Sequence, residues 1–252
     1  TTTSKKLSIQ LRVMGFDPIV IALDDYFHGR DRTPKDEDGN FDFECLEALD
    51  VDYLNEQLVS LFAGDEVELP AFDFKSGSRK PSGKKIRMGD RQILVMEGIH
   101  GLNDKLTPRI PAGQKFKIYV SALTQINLDE HNRISTTDNR LIRRMVRDNQ
   151  FRGKSALDTL RMWPSVQRGE RTHIFPFQNN ADTAVNSALD YELGVLKIYA
   201  EPLLRSVKPV EPEYAEAKRL LNFLSFFAPI PTQFVPQDSI VREFIGESSF
   251  KY

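Results

Sequence analysis

Short apolar runs that end at polar or acidic residues recur along the chain. The first covers residues 18–23 and is followed by Asp24 and Asp25, and the second covers residues 93–96 and is followed by Glu97. Continuous apolar runs of this length are typical of strands buried on both faces of a parallel sheet. Two further strands are predicted on the same grounds, at residues 117–120 and 183–185.

Amphipathic segments separate these runs and predict helices. A short helix is predicted over residues 7–14, closed by Gly15, and a helical turn already begins at Thr1. Alternation of strands and helices predicts the α/β fold class with a doubly wound parallel sheet, whose ligands bind beyond the carboxyl ends of the strands. The longer helices are predicted over residues 45–62, 137–149, 155–163 and 191–204.

Two polar segments are predicted to be long loops. They cover residues 29–40 and 73–89 and are rich in charged residues, with glycine and proline in each. Loops of this length in a compact domain are often lids or binding loops. No linker separates the segments, so we predict one domain over residues 1–204, followed by a C-terminal helical extension and tail over residues 205–252.

Composition narrows the class of protein. The 252 residues are 40% hydrophobic and 28% charged, which is ordinary for a globular protein and excludes a disordered chain. The single cysteine, Cys45, excludes an internal disulfide and the usual Cys-rich zinc sites, and we expect it to be a small core residue within the helix over residues 45–62. Neither a membrane-spanning segment nor a signal peptide is found, so a cytoplasmic location without a membrane partner is expected.

Charge is unevenly distributed, although the net charge is only −2. Between residues 133 and 171, ten Lys and Arg stand against four acids, a local charge of +6 on a remainder of −8. Helical spacing puts Arg140, Arg143, Arg144 and Arg147 on one face, where a phosphate would relieve their mutual repulsion. A solvated surface is the alternative, and it is equally good for Arg140 and Arg143. A single short cluster favours a small polyphosphate over nucleic acid.

The acids at the strand ends favour phosphoryl transfer. Asp24 could accept a proton from a hydroxyl, and Glu97 could hold Mg²⁺ directly or through water. Thr1 or Thr2, which open a helix, could offer a hydroxyl to the same metal. Other chemistries fit less well, because the four histidines show no metal-ligand spacing and no G-x-S-x-G motif is present.

Several motifs together resemble the uridine kinase and phosphoribulokinase family of P-loop kinases, over almost the whole chain. The resemblance is closest to the kinase half of bacterial proteins whose other half is similar to threonyl-tRNA synthetase, and it implies such an N-terminal domain as a partner in the full-length protein. The segment 242–246, Arg-Glu-Phe-Ile-Gly, is typical of that narrower group. The shared motifs are residues 23–27, 40–43, 70–74 with 78–80, 97–99, 140–148 and 151–153.

The resemblance implies ATP and Mg²⁺ as cofactors. In this family the first helix follows the phosphate-binding loop G-x-x-x-x-G-K-[ST], and Thr1 resembles its final residue. The first strand and that loop are therefore expected before residue 1. Thr1 and Thr2 are expected to bind ATP, and Thr1 and Glu97 the metal.

Catalytic and substrate-binding roles are also implied by the resemblance. Asp24 resembles the general base toward a nucleoside 5′-hydroxyl, and Glu97 resembles the strand-end acid near Mg²⁺. Asp42 resembles the acid that binds the ribose hydroxyls, and Arg144 resembles its arginine partner. The lid arginines that reach ATP, Arg147 and Arg152, complete this set.

Phe41 and Phe72 resemble the aromatic walls of a nucleoside pocket, where stacking tolerates different bases. Ordinary core packing is an equally good interpretation of each. Members that select uracil carry a histidine where this chain has Gly77. A pyrimidine nucleoside, uridine or cytidine, is nevertheless the expected acceptor.

Two alternatives to a pyrimidine nucleoside kinase stay open. The first is a phosphoribulokinase-like kinase of another small hydroxyl substrate. The second is a non-catalytic nucleotide- or RNA-binding regulator on a kinase fold. A structural partner domain is disfavoured, because it would need none of the acids.

The tail is rich in phenylalanine. Phe223, Phe226 and Phe227 lie on one face of a predicted helix. A helix docked on the core is the favoured interpretation. The alternative is a contact with another domain or with a second subunit of a homo-oligomer.

Overall fold

The computed structural model describes residues 1–37, 39, 41–73 and 76–251. Asn40 and Phe74, which belong to two of the family-like motifs, lie outside the described residues. The described strands are β1 (Asp17–Ala22), β2 (Glu66–Asp73), β3 (Ser78–Arg87), β4 (Gln92–Glu97), β5 (Ile118–Ser121) and β6 (Thr183–Asn186). The helices are α1 (Thr2–Val13), α2 (Val51–Phe62), α3 (Thr136–Arg152), α4 (Ala156–Gly169), α5 (Glu192–Arg205), α6 (Tyr214–Ser225) and α7 (Arg242–Ile245).

All four apolar runs form strands, and the predicted α/β class is confirmed. β1 and β4 pair in parallel and in register from Asp17 opposite Gln92 to Ala22 opposite Glu97. β5 pairs with β6. Both strands of the parallel pair therefore end at the same edge. The predicted acids Asp24 and Glu97 lie there.

The predicted loop over residues 73–89 is wrong, because most of it is strand β3. β3 pairs antiparallel with β2, and the register shifts between Glu68 and Pro70, where Pro70 lies opposite Pro81. Proline has no N–H to donate, so the irregularity coincides with the residues that cannot continue the ladder. β3 is exposed along almost its whole length, so no hydrophobic alternation marks it in the sequence.

Helix α2 begins at Val51, six residues later than predicted. Asp50 caps it, since its Oδ1 accepts a hydrogen bond from the Tyr53 N–H at 3.2 Å. The preceding residues, 46–48, form a single 3₁₀ turn. Cys45 therefore lies outside the helix, but it is buried at 7% exposure, as expected of a small core residue.

The chain folds into two compact units, each with its own core. The first unit contains Thr1, residues 3–119 and residues 168–184. Its core surrounds the end of β1 and helix α2, with Leu23, Tyr26 and Leu54 almost fully buried. The second unit contains Thr2, residues 120–167 and the chain from residue 185 onward, and its core is built from α3, α4, α5, α6 and α7.

Helix α6 docks on the core of the second unit, which confirms the favoured interpretation of the tail. Leu220 is fully buried, and Phe223 packs edge-on against Phe227 with ring centroids 5.2 Å apart. The Lys197 ammonium fixes the end of the helix, because it donates to the carbonyls of Leu224 and Phe227 at 2.9 and 2.8 Å. Phe226 differs, since it is 71% exposed.

Leu220→Ala should lower the free energy of unfolding by about 2–5 kcal/mol, because it removes buried methyl groups and leaves a cavity. Urea denaturation followed by circular dichroism measures the loss. Phe226→Ala, at the exposed residue that follows the helix, is the control, and it should change stability by less than about 0.5 kcal/mol. Equal losses in the two variants would contradict the docking of α6 through Leu220.

Candidate active site

The carboxyl edge of the parallel pair carries the predicted catalytic acids. Glu97 is the last residue of β4 and lies opposite Ala22, the last residue of β1. The chain leaves β1 through a 3₁₀ turn over Leu23–Tyr26, which contains Asp24. Asp24 is exposed at this edge.

The turn after β4 packs directly on the turn after β1. A Cβ atom at Gly98 would lie 2.7 Å from the Cβ of Leu23, which is closer than two non-bonded carbon atoms approach each other. Leu23 is itself buried, at 1% exposure. Only glycine allows this approach, so Gly98 holds the end of β4, with Glu97, against the turn that carries Asp24.

Thr1 and Glu97 bring two oxygen atoms together at this edge. The Thr1 hydroxyl donates to Glu97 Oε1 at 2.7 Å. Among the described residues, no group of three or more His, Cys, Asp and Glu could hold a metal ion. Mg²⁺ usually binds proteins through only one or two side chains and completes its shell with water and phosphate. Thr1 and Glu97 therefore fit the donor set of a magnesium ion that arrives with a nucleotide.

Asp25, the neighbour of the predicted base, has a different environment. Its Oδ1 accepts a hydrogen bond from the Phe72 N–H at 3.1 Å, which ties the end of β1 to β2. Burial raises the pKa of Asp25, and the nearby charge of Glu97 raises it further. The sequence alone does not distinguish the roles of these two adjacent acids. In the structure Asp24 is exposed, whereas Asp25 binds the backbone of β2.

The two predicted aromatic walls belong to one cluster of four rings. Phe72 packs edge-on against Phe27 at 5.7 Å, and Phe27 packs edge-on against Phe43 at 5.8 Å. Phe41 continues the series at 6.1 Å from Phe43, and it is 44% exposed. The cluster is therefore core at Phe27 and open surface at Phe41. Sequence reasoning missed Phe27 and Phe43, although both lie inside the quoted motifs.

Asp42 is held by its own turn. Its N–H donates to the Pro34 carbonyl at 2.8 Å, and its Oδ1 accepts from the Glu44 N–H at 2.9 Å. The side chain is half-buried. One carboxylate oxygen thus orients the group, as an aspartate in an Asx-turn does.

Arg143, in the second unit, is neither a surface residue nor an accessible binding residue. Its side chain is buried at 8% exposure and forms an ion pair with Glu192, with Nε 2.9 Å from Oε2. Its Nη2 also donates to the Ser187 carbonyl at 2.7 Å. Both sequence interpretations of Arg143 are therefore wrong, because its partner lies 49 residues away along the chain.

The other predicted arginines of α3 surround a single buried acid. Arg144, Arg147 and Arg152 all form ion pairs with Asp148, at 3.4, 3.6 and 3.2 Å. Asp148 is fully buried. Burial and the neighbouring charge of Arg152 lower the pKa of Arg147. The structure therefore brings these three predicted phosphate- and substrate-binding residues together.

Thr2 also belongs to the second unit. It is buried at 1% exposure, and its N–H and hydroxyl both donate to Oε2 of Glu243, the N–H at 3.4 Å. Glu243 therefore holds the side chain that the sequence assigned to ATP. The two adjacent threonines thus have different partners, Glu97 for Thr1 and Glu243 for Thr2.

His100 is a buried titratable group close to Glu97 in sequence. It is 2% exposed and its ring lies edge-on to His173, with centroids 6.0 Å apart. Burial and His173 lower its pKa. The unfolded chain, with an ordinary histidine pKa near 6.5, therefore binds the proton more tightly than the folded protein.

His100 should accordingly make the protein less stable as the pH falls below about 6.5. Between pH 7.5 and 5.5 it should lower the free energy of unfolding by up to about 1.4 kcal/mol. Urea titrations at the two pH values measure this loss, and His100→Gln should show a smaller one. His131→Gln, an exposed control, should lose as much as the wild type. An unchanged loss in His100→Gln would contradict the assignment.

The comparisons with known proteins show the family to which the chain belongs. The model of the phosphoribulokinase / uridine kinase family matches residues 12–193. The uridine kinase of Bacillus subtilis is 28% identical over 166 residues, which are 66% of this chain and 70% of that protein. The uridine kinase of Oceanobacillus iheyensis is 29% identical over 184 residues, or 73% of this chain and 79% of that protein.

One solved structure, of a possible uridine kinase from Bacillus stearothermophilus, is 18% identical and covers 73% of this chain and 79% of its own. Its TM-score is 0.44, which supports no fold argument by itself. Within the described residues, no helix is long and apolar enough to cross a membrane.

Proposed function

Since the chain belongs to the phosphoribulokinase / uridine kinase family, we propose that it transfers the γ-phosphate of ATP to the 5′-hydroxyl of a pyrimidine nucleoside. The observation that carries the proposal is the carboxyl edge of β1 and β4, where the exposed Asp24 and the Thr1–Glu97 pair follow two parallel strands. Ligands of open α/β sheets bind at such edges. The uridine kinase names of several relatives favour the nucleoside, at 26–29% identity.

Asp24 is the proposed general base. Its carboxylate accepts the proton of the attacking hydroxyl, and the hydroxyl oxygen forms a bond to the γ-phosphorus while the bond to the ADP oxygen breaks. Proton transfer by a positioned carboxylate accelerates such steps by about 10²–10⁴-fold. After ADP and the nucleotide leave, Asp24 returns its proton to water.

Thr1 and Glu97 are the proposed ligands of Mg²⁺, directly or through water. The metal supplies neutralisation of the charge that develops on the transferred phosphoryl group. Thr1 and Glu97 fix its position relative to the edge, because their oxygens are already joined by a 2.7 Å hydrogen bond. Arg147 and Arg152 add positive charge for the ATP phosphates, while Asp42, Arg144, Phe41 and Phe72 bind the nucleoside.

One observation favours the alternative of another small hydroxyl substrate. Gly77 has φ +66°, and a Cβ at this position would overlap the side chain of Arg30. The side chain of Arg30 thus fills the space into which a histidine at residue 77 would extend. Arginine offers only donors, which suits a substrate carrying an anionic or carbonyl acceptor, such as a sugar phosphate.

Asp24→Asn should lower kcat by about 10²–10⁴-fold, because the amide cannot accept the proton. The nucleoside dissociation constant, measured by calorimetry, should change little. Asp17→Asn is the matched control, because Asp17 lies at the other end of β1, where it accepts a hydrogen bond from Gln92. Full activity of Asp24→Asn would refute the base assignment.

Glu97→Gln should raise the Mg²⁺ concentration needed for half-maximal rate by about tenfold, since the amide is the weaker ligand. Magnesium titrations at saturating ATP measure this change. Glu66→Gln, at the exposed first residue of β2 in the same unit, should leave the titration unchanged. An unshifted titration in Glu97→Gln would exclude Glu97 from the metal site.

A panel of acceptors separates the two substrates. The rate with uridine or cytidine should exceed the rate with ribulose 5-phosphate or other sugar phosphates. The reverse order would overturn the nucleoside in favour of the alternative.

A further inference from the structure

Asp148 is a buried acid without a role in the chemistry proposed above. It lies in the last turn of α3 and is fully buried. A buried carboxylate is costly unless charges or hydrogen bonds compensate it. The compensation here comes from three arginines of its own helix, each with a proposed role in binding.

The two oxygens of Asp148 face different arginines. Oδ2 lies 3.4 Å from Nε of Arg144, the residue proposed to bind the nucleoside. Oδ1 lies 3.6 Å from Nε of Arg147 and 3.2 Å from Nη1 of Arg152, the residues proposed to bind the ATP phosphates. One carboxylate thus stands between the arginine of the acceptor and the arginines of the donor.

Two of the three ion pairs of Asp148 involve the Nε atom of the arginine rather than a terminal nitrogen. Arg144 and Arg147 approach Asp148 most closely through Nε. Among the described residues, Oδ2 of Asp148 and the Nε atoms of Arg144 and Arg147 have no hydrogen-bond partner. Attraction between charges, rather than a saturated hydrogen-bond network, therefore keeps the group together.

The backbone of Asp148 is fixed as well. Its carbonyl accepts from the N–H of Gly153 and, at 3.1 Å, from the N–H of Lys154, in the left-handed turn that ends α3. The carboxylate consequently occupies a defined place at the helix end. Asp148 and, beside Arg147, Glu243 stand against three positive charges, so the group stays positive, which suits a polyphosphate.

We propose that Asp148 is a positioning residue that fixes Arg144, which is proposed to bind the nucleoside, relative to Arg147 and Arg152, which are proposed to bind ATP. The inference rests on the proposed function of these arginines. It assigns to Asp148 no contact with either substrate.

Asp148→Asn should raise the KM of ATP and the KM of the nucleoside by at least about tenfold each, because three like charges lose their common partner. Initial rates over both substrates measure the two constants. Asp138→Asn is the matched control, because Asp138 lies on the same helix and binds Arg219 through two hydrogen bonds of 2.7 and 2.8 Å. It should change both constants by less than twofold.

Non-additivity distinguishes positioning from general destabilisation. Arg147→Gln alone should weaken ATP binding, and adding Asp148→Asn to it should weaken ATP binding by less than the roughly tenfold loss expected in the wild-type background, because only Arg152 then still depends on Asp148 and residues that act through each other are not additive. The double variant also keeps the charge of the wild type, so it serves if Asp148→Asn alone fails to fold. Additive losses would mean that Asp148 acts through stability, and would overturn the proposal.

ATP affinity is measured by calorimetry in the full-length protein, so the result does not depend on turnover. Wild-type protein that binds ATP but phosphorylates no acceptor would refute the proposed function. The role of Asp148 would then still be tested by the ATP affinities of the variants. Asp148→Asn protein that binds ATP within twofold of the wild type would refute the role of Asp148 while leaving the proposed function intact.

Discussion

The in-register parallel pairing of β1 with β4 is the constraint on which the candidate site depends. Because Ala22 lies opposite Glu97, both strands stop at the same level, and the chain must leave both at one edge. The contact between Leu23 and Gly98 then fixes the two exits against each other. A side chain at residue 98 would separate the turns, and with them the acids that the proposed chemistry needs close together.

Helix α3 uses charge in two opposite ways. Arg143 and Glu192 form a buried one-to-one pair, which leaves no charge for a ligand and belongs to the core. Asp148 compensates only part of the charge of Arg144, Arg147 and Arg152. The balance of charge therefore distinguishes the arginines of this helix. Arg143 is fully compensated and structural, whereas Arg144, Arg147 and Arg152 keep a positive charge that suits phosphate.

The strands β1, β4, β5 and β6, the α/β class and the edge that carries Asp24 and Glu97 were predictable from the sequence. A buried strand needs a continuous apolar run, and its end is marked where that run stops. The β2–β3 hairpin was not predictable in this way, because β3 is exposed and contains proline and glycine, so its backbone ladder leaves no hydrophobic pattern. The start of α2 depended on the cap at Asp50, which the apolar spacing does not reveal.

Side-chain partners were the least predictable part of the site. The spacing of the arginines predicts which of them share a helix face. The role of Arg143, however, depends on its ion pair with Glu192, a contact that exists only in the folded chain. The sequence alone does not show which of Asp24 and Asp25 is structural. The structure shows it, because the N–H of Phe72 donates a hydrogen bond to Asp25. Burial and long-range contacts, which spacing does not encode, separate residues of the same type into structural and accessible ones.

The position of the transferred phosphate tests the account most directly. The full-length protein is incubated with Mg²⁺, ATP and uridine or cytidine, and the product is examined by ³¹P–¹H correlation NMR. The account predicts a nucleoside monophosphate whose phosphorus couples to the two 5′ protons, together with an equal amount of ADP. ADP and inorganic phosphate without a phosphorylated nucleoside, or no consumption of ATP, would contradict it.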